Sequence, residues 1–225
     1  MNKIDLNLDN KSVVVFDLDD TLYKEINYLK SAYREISNFL FNEIAFDVHN
    51  EMIQLYVDGQ DVFHAILRKY NTTSYSKQDL IEMYRCHNPS ITLEPYVIEF
   101  LSKTKKSVKT MGIITDGRSV TQRNKIEALG LEDTFDDIII SEEFGSSKPS
   151  EENYLYFEKK YGNSNFTYIG DNTVKDFVTP NSLGWNTLCL LDDGNNIHKQ
   201  NLDLNPDYLA KKNFSSFKEL IDIYE

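Results

Sequence analysis

One stretch decides the fold of this 225-residue chain: Val13-Val14-Val15-Phe16-Asp17-Leu18-Asp19-Asp20-Thr21. Its first four residues form a β-branched and aromatic run with little alternation, which is typical of a strand covered on both faces in a parallel sheet. The polar residues from Asp17 onward predict a turn at the carboxyl end of that strand. Open α/β sheets bind ligands at this end of their strands, so the turn is the first candidate for a functional site.

A block with helical spacing follows the turn and extends from about Tyr23 to about Ile91. Its apolar residues predict four helices: a stripe over Tyr28, Leu29, Ala32, Tyr33, Ile36, Phe39 and Leu40, a second helix that ends near Gly59, a third over Phe63 to Tyr70, and a fourth after Ser76. The block has no convincing strand pattern. We therefore expect a helical insertion at the carboxyl end of the first strand.

Strands and helices alternate in the rest of the chain. Strands are predicted over 111–114, 138–140, 166–169 and 187–191, and helices over 97–101, 120–129, 151–161, 181–184 and 217–224, with Pro180 at the first position of the fourth helix. The segment 192–207 has the composition of a loop. This alternation predicts βαβ units with right-handed crossovers, and hence an α/β fold built on a doubly wound parallel sheet.

Four polar clusters each follow a predicted strand: Asp17/Asp19/Thr21, Thr115/Asp116, Ser147/Lys148 and Asp171/Asp176. The carboxyl ends of parallel strands face one crevice, so we expect these clusters to meet there. Carboxylates that lie this close repel one another, which requires either protonation or a bound cation. Because the clusters offer oxygen ligands and neither His nor Cys, the expected cation is Mg²⁺. Lys148 and the Thr115 hydroxyl would then donate hydrogen bonds to a phosphate.

The pair Asp17 and Asp19 suggests a division of labour in phosphoryl transfer. One carboxylate beside the metal would attack phosphorus and form an aspartyl-phosphate. The other would protonate the leaving oxygen and later deprotonate water. Asp20 is expected to be a turn residue or a residue at the start of the following helix, because Asp is common in turns after strands.

These motifs resemble those of the haloacid dehalogenase (HAD) superfamily, in its magnesium-dependent phosphatase branch. The resemblance covers nearly the whole chain and rests on four motifs in the expected order: Asp17-Leu18-Asp19-Asp20-Thr21-Leu22, Ile114-Thr115-Asp116-Gly117, Lys148-Pro149, and Gly170-Asp171 with Asp176. It implies a Rossmann-like core domain over residues 1–21 and 93–225. It also implies a small α-helical cap domain, of the kind found in subfamily I, over residues 22–92.

The same resemblance implies roles for the residues of the four clusters. The implied catalytic residues are Asp17 as nucleophile and Asp19 as general acid and base, the implied phosphate-binding residues are Thr115, Asp116 and Lys148, and the implied Mg²⁺ ligands are Asp17, Asp19 through its backbone carbonyl, Asp171 and Asp176. The true dehalogenases of this superfamily lack the second Asp of the first motif, so Asp19 favours phosphate chemistry.

The expected reaction is the hydrolysis of a small phosphomonoester, either a sugar phosphate or a nucleoside monophosphate. Two alternatives stay open at this point. A phosphomutase shares all of these motifs and would transfer the phosphate instead of releasing it. A non-catalytic phosphate-sensing module would also gather Asp, Thr and Lys at the end of a parallel sheet.

The composition argues against several other classes of protein. The chain has 24 Lys+Arg against 36 Asp+Glu, a formal charge of −12, which disfavours a nucleic-acid binder and a protein held at a membrane by charge. No apolar run approaches the ~20 residues of a transmembrane helix, and residues 1–12 have no apolar signal core. Cys86 and Cys189 do not suggest a disulfide framework. We expect a cytoplasmic monomer or homodimer whose partner is a small molecule.

Overall fold

A six-stranded parallel sheet forms the centre of the computed structural model, which describes residue 6 and residues 8–221. Its strands are β1 (Ser12–Phe16), β2 (Thr110–Thr115), β3 (Asp137–Ile140), β4 (Asn165–Gly170), β5 (Asn186–Leu190) and β6 (Lys212–Phe214). The strand order is β3-β2-β1-β4-β5-β6, and every neighbouring pair is parallel. The predicted α/β fold with a doubly wound sheet is therefore confirmed.

Ten α-helices surround or adjoin the sheet within the described part of the chain. They are α1 (Glu25–Ile44), α2 (His49–Val57), α3 (Val62–Lys69), α4 (Lys77–Cys86), α5 (Pro95–Ser107), α6 (Ser119–Ala128), α7 (Ser141–Phe144), α8 (Glu151–Tyr161), α9 (Val178–Ser182) and α10 (Lys218–Ile221). Residues of α5, α6 and α10 pack on one face of the sheet. Residues of α8, together with Phe177 before α9, pack on the other face.

The strand order places one crevice at the centre of the molecule. From β1 the chain goes to β2 and β3 on one side, and it then crosses to β4, β5 and β6 on the other side. The carboxyl ends of β1 and β4 therefore flank the point where the winding reverses, which is where open α/β sheets bind ligands. Asp17 follows β1 and Asp171 follows β4, so both carboxylates reach this crevice.

Helices α1 to α4, here called the helical unit, share a core of their own between β1 and α5. The predicted stripe of α1 is buried except for Phe39, which is 40% exposed and whose ring centre lies 4.5 Å from that of Tyr75. In the last turns of α1 the covered face is centred on Leu40, so Phe39 falls outside its edge. The fourth helix begins after Ser76 as predicted, and Ser76 forms a capping box with Asp79.

Some details of the prediction were wrong. Strand β6 and helix α7 were not predicted, because each has only three or four residues, and Lys212 and Asn213 of β6 are exposed. Pro180 is the third residue of α9 and not its first; the third N–H of a helix also lacks an intrahelical acceptor, so proline removes no bond there. Of the helix predicted over 217–224, residues 222–224 lie outside the described residues.

None of the described helices is both long and apolar enough to span a membrane.

Candidate active site

The backbone of Asp17 continues the pairing between β1 and β4. Its N–H donates to the carbonyl oxygen of Ile169 at 2.9 Å, which directs the side chain into the crevice. The Thr21 hydroxyl reaches back across the turn and lies 3.1 Å from Oδ2 of Asp17 and 3.4 Å from Oδ1 of Asp171. The first turn thus links the two strands at the winding reversal.

Three buried carboxylates, those of Asp17, Asp171 and Asp176, form what we call the acidic cluster. Each contributes an oxygen atom, and these oxygens all lie within 4.8 Å of one another. Burial raises the pKa of Asp17 to about 7, with a further contribution from the nearby Asp176. Burial, Asp17 and Asp176 together raise the pKa of Asp171 to about 9. A set of oxygen donors with excess negative charge fits a hard cation such as Mg²⁺.

Asp176 is held in the cluster by the backbone that follows β4. Its Oδ2 accepts hydrogen bonds from the N–H groups of Asp171, at 3.1 Å, and Asn172, at 2.8 Å. This contact requires glycine at position 170, because a Cβ atom there would lie 2.5 Å from the same oxygen. Local geometry therefore explains why the motif begins Gly170-Asp171.

Lys148 supplies positive charge to the acidic cluster. Its ammonium forms ion pairs with Asp17 and, at 2.7 Å, with Asp176. Burial favours the neutral amine, but the two carboxylates outweigh it and raise the pKa of Lys148 well above its usual value. The carboxylate of Asp116 accepts from the Lys148 backbone N–H and from Lys175 Nζ, both at 3.0 Å. Asp116 therefore holds the Lys148 loop, and its contact with a phosphate stays a prediction.

The carboxylate of Asp19 points away from the acidic cluster. Oδ1 accepts from Lys125 Nζ at 2.7 Å and from the Tyr23 hydroxyl at 2.5 Å, and Oδ2 accepts from Gln122 Nε2 at 2.8 Å. Burial opposes the charged form, but Lys125 and these hydrogen bonds outweigh it and lower the pKa of Asp19. Any contribution of Asp19 to a metal site therefore rests on its backbone carbonyl.

Sequence reasoning missed Gln122 and Lys125, which α6 brings into the site. Both are buried, and Gln122 Nε2 also lies 2.6 Å from the Thr115 hydroxyl oxygen. Lys125 Nζ lies 3.3 Å from Glu25 Oε1 and 4.5 Å from the ring centre of Tyr28, both on α1. The available signal was their spacing of three residues on the helical face that carries Ile126.

Asp20, expected to be a turn residue, has that role in the structure. Its φ of +57° lies in the left-handed region, which Asp tolerates better than most residues. Its carboxylate accepts from the N–H groups of Glu25, at the start of α1, and Ile197, both at 2.9 Å. It therefore ties the first turn to the helical unit and to the loop after β5.

The loop after β5, residues 192–200, contacts the acidic cluster at Asp171. Asn196 Nδ2 donates to Oδ2 of Asp171 at 2.8 Å, and Gln200 Nε2 donates to the Asp171 carbonyl at 2.8 Å. Ile197, next to Asn196, packs against the core of the helical unit. One short segment thus contacts both the acidic cluster and the helices above it.

These residues enclose a cavity of about 90 Å³. Its eleven lining residues are all polar or charged: Asp17, Asp19, Asp20, Glu25, Thr115, Asp116, Lys148, Asp171, Asn172, Lys175 and His198. A larger cavity of about 560 Å³ lies between α5 and the end of α6, but it shares no lining residue with this site. The smaller cavity holds the carboxylates and the lysine, so it is the candidate active site.

Comparisons with known proteins agree with this geometry. The family model described as haloacid dehalogenase-like hydrolase matches residues 14–189. A glyceraldehyde 3-phosphate phosphatase of Methanocaldococcus jannaschii is 30% identical over 93% of this chain and 95% of its own length. The pyrimidine 5'-nucleotidase YjjG of Escherichia coli is 34% identical, over 37% of this chain and 38% of its own length. The HAD-hydrolase YfnB of Bacillus subtilis, solved bound to magnesium, has a TM-score of 0.65 at 21% identity and covers 96% of this chain and 99% of its own.

Proposed function

The chain belongs to the haloacid dehalogenase-like hydrolase family, and we propose that within this family it is a Mg²⁺-dependent phosphatase of a small phosphorylated metabolite. The observation that carries the proposal is the acidic cluster facing Lys148. Two residues after Asp17, the carboxylate of Asp19 pairs with a different lysine, Lys125. This arrangement supports a role for Asp17 in nucleophilic attack and for Asp19 in proton transfer. The relative from M. jannaschii, named as a phosphatase, supports the same reaction class.

The acidic cluster and the Asp19 backbone carbonyl would hold Mg²⁺. When bound, the ion would neutralise negative charge on the phosphoryl oxygens. The donor set fits this ion because its members are carboxylate and carbonyl oxygens. A bound divalent cation would also return Asp17 to its ionised form, which is the form that attacks phosphorus.

The proposed reaction has two steps on the side chains of this protein. In the first, a carboxylate oxygen of Asp17 bonds to phosphorus while the bond to the leaving oxygen breaks. Asp19, which would take up a proton when the negatively charged phosphate lies beside it, gives that proton to the leaving oxygen. In the second, Asp19 takes a proton from water, whose oxygen attacks phosphorus and frees Asp17 and inorganic phosphate. Lys148 and the Thr115 hydroxyl would hold the phosphoryl oxygens throughout.

The cavity favours a sugar phosphate over a nucleoside monophosphate. Its volume of about 90 Å³ is far below the roughly 300–1,000 Å³ of pockets that enclose drug-sized ligands. Its lining residues are polar and include no Phe, Tyr or Trp on which a nucleobase would stack. The substrate class that fits is a short, hydroxylated or carbonyl-bearing phosphate, in agreement with the activity named for the M. jannaschii relative.

The helical unit is proposed to act as a cap over this cavity, within residues 22–92. Glu25, at the start of α1, lines the cavity together with the residues of the sheet. Closure of the unit over a substrate would exclude bulk water during the first step. A cap of this size leaves room for a small metabolite.

The test is phosphate release from a panel of triose, pentose and hexose phosphates and nucleoside monophosphates, with Mg²⁺ present. We expect release from the small sugar phosphates, and a loss of at least about 1,000-fold in Asp17→Asn, since the nucleophile is removed. Asp203→Asn, which alters an exposed carboxylate in the segment between β5 and β6, serves as the matched control and should keep full activity.

Three outcomes separate the alternatives. Release that persists in a folded Asp17→Asn would contradict the nucleophile assignment. Formation of an isomeric phosphate without free phosphate would identify a phosphomutase. Binding of phosphate without turnover would identify a sensing module.

A further inference from the structure

Gln122 occupies a bridging position between the two halves of the site. Its Nε2 lies 2.8 Å from Oδ2 of Asp19 and 2.6 Å from the hydroxyl oxygen of Thr115, so its two hydrogens have one acceptor each. The Thr115 oxygen accepts one of these bonds, which leaves its own hydrogen to be donated elsewhere. Gln122 therefore fixes the distance between these two residues and the direction of the threonine hydroxyl.

The neighbouring backbone makes room for this bridge. A Cβ atom on Gly117 would lie 3.0 Å from the Gln122 side chain, and the φ of Gly117, +153°, also favours glycine. The glycine of the Thr115-Asp116-Gly117 turn therefore leaves room for the glutamine side chain beside it. This is a separate observation that ties Gln122 to the second motif.

Lys125 holds the other oxygen of Asp19 and connects it to the helical unit. Its side chain is 3% exposed, and its ammonium contacts Asp19 at 2.7 Å and Glu25 at 3.3 Å and lies over the ring of Tyr28. Burying a lysine is costly unless it is paired, and here two of its three partners belong to α1. The lysine therefore joins the first turn, α6 and the first cap helix at one point.

We propose that Gln122 and Lys125 are positioning residues that hold the Asp19 carboxylate over the leaving oxygen, and that Lys125 makes this position depend on the placement of α1. The inference rests on the proposed phosphatase function, in which Asp19 protonates the leaving group. Both Asp19 oxygens are engaged by α6, so rotation of the carboxylate away from the substrate requires these contacts to break. Movement of α1 would remove Glu25 and Tyr28 from Lys125 and loosen the same contact.

The test compares two substrates that differ in their need for an acid. Glycerol 1-phosphate has an alkoxide leaving group that requires a proton, whereas the phenolate of 4-nitrophenyl phosphate leaves without one. For Gln122→Met and Lys125→Met, we expect kcat on glycerol 1-phosphate to fall about 10- to 100-fold, as for loss of general acid catalysis. On 4-nitrophenyl phosphate it should fall less than about 3-fold, with KM little changed for either substrate.

Two further variants act as controls. Arg123→Met alters an exposed residue on the same helix that pairs with Glu143, and it should leave the ratio of the two activities unchanged. Lys125→Arg keeps a charged donor and should restore part of the lost ratio. Thermal unfolding of each variant establishes that it is folded at the assay temperature.

The outcomes distinguish this inference from the function on which it rests. Equal losses on both substrates, or no loss on glycerol 1-phosphate in folded variants, would overturn the positioning role alone. A folded wild-type protein with Mg²⁺ that releases phosphate from neither substrate would overturn the phosphatase proposal and the positioning role with it.

Discussion

Asp17 and Asp19 lie two residues apart in one turn, and their surroundings shift the two pKa values in opposite directions. Asp17 shares Lys148 with Asp176 in a cluster of three carboxylates, and burial raises its pKa to about 7. Asp19 is only partly buried, and Lys125 together with two further donors lowers its pKa against the opposing effect of burial. On one side of the turn, three carboxylates share one lysine, a charge balance that fits a cation taken from solution. On the other side, the chain supplies Lys125 as the counter-charge of Asp19.

Lys125 faces two carboxylates, Asp19 and Glu25, so one negative charge beside it has no counter-charge. Burial and the neighbouring Asp19 raise the pKa of Glu25 to about 7, although Lys125 lies 3.3 Å away. Lys125 therefore neutralises Asp19 more fully than Glu25, in keeping with its shorter distance to Asp19. The division between the two sides is thus set by distances to two lysines on different elements.

Removing the metal should break the comparison most strongly. A chelator is expected to lower phosphate release at least about 100-fold, because the charge stabilisation that a bound ion gives a phosphoryl group is worth several kcal/mol. Added Mg²⁺ should restore activity and raise the thermal midpoint of the wild type. The same addition should raise the midpoint of Asp171→Asn much less. Full activity in chelator would remove the metal from the mechanism.

Two matched substitutions should have opposite effects on stability in chelator. Asp171→Asn removes a carboxylate that must bind a proton or a cation when the protein folds, so near neutral pH it should raise the free energy of unfolding by about 1 kcal/mol or more. Asp19→Asn leaves Lys125 without its nearest partner and should lower it by roughly 1–3 kcal/mol. Urea unfolding of both variants measures the two values. A destabilised Asp171→Asn would show that the cluster is balanced without a cation.

The stability of the metal-free protein should also depend on pH in a way that separates Asp17 and Asp171 from Asp19, with a smaller effect than the substitutions above. The folded-state pKa values of Asp17 and Asp171, about 7 and about 9, are raised above the ordinary value of 3.8. From about pH 4 to about pH 9 the folded state therefore binds more protons than the unfolded state. Stability in chelator should therefore fall as the pH rises from about 4 to about 9, by at least a few degrees in thermal midpoint. Saturating Mg²⁺ should flatten this decline.

The contribution of Asp19 has the opposite sign. Its folded-state pKa is lowered, so the stability from its pair with Lys125 is present above about pH 4 and lost on further acidification. Removal of this pair in Asp19→Asn should therefore weaken the dependence on pH below about 4 and leave the decline toward pH 9 in place. A thermal midpoint of the wild type that rises steadily to pH 9 in chelator would contradict this account.

The residues that follow strands could be predicted from the sequence. Asp17 and Asp171 come directly after β1 and β4, and Thr115 is the last residue of β2. The end of a buried strand determines which edge of the sheet these residues reach. Lys148 was harder to place, because α7 and a loop separate it from β3. Its arrival at the cluster depends on the Asp116 carboxylate, which holds its backbone N–H.

The residues of α6 could not be predicted in the same way. The helix is largely polar, so apart from Ile126 its sequence gives little indication of which face turns inward. Packing of Ile126 on the sheet sets that rotation, and Gln122 and Lys125 are buried as a result. β6 was missed for a related reason, because three residues with two of them exposed carry too little pattern to identify an edge strand.

The loop after β5 has a consequence for recombination among relatives. Asn196 bonds to Asp171, and the adjacent Ile197 packs in the core of the helical unit. A chimaera that receives residues 25–86 from another phosphatase would set a foreign core against Ile197, and the misfit would pass through Asn196 to a carboxylate of the acidic cluster. Residues 192–200 are distant from the helical unit in sequence, but we expect a functional chimaera only when both segments come from the same parent protein.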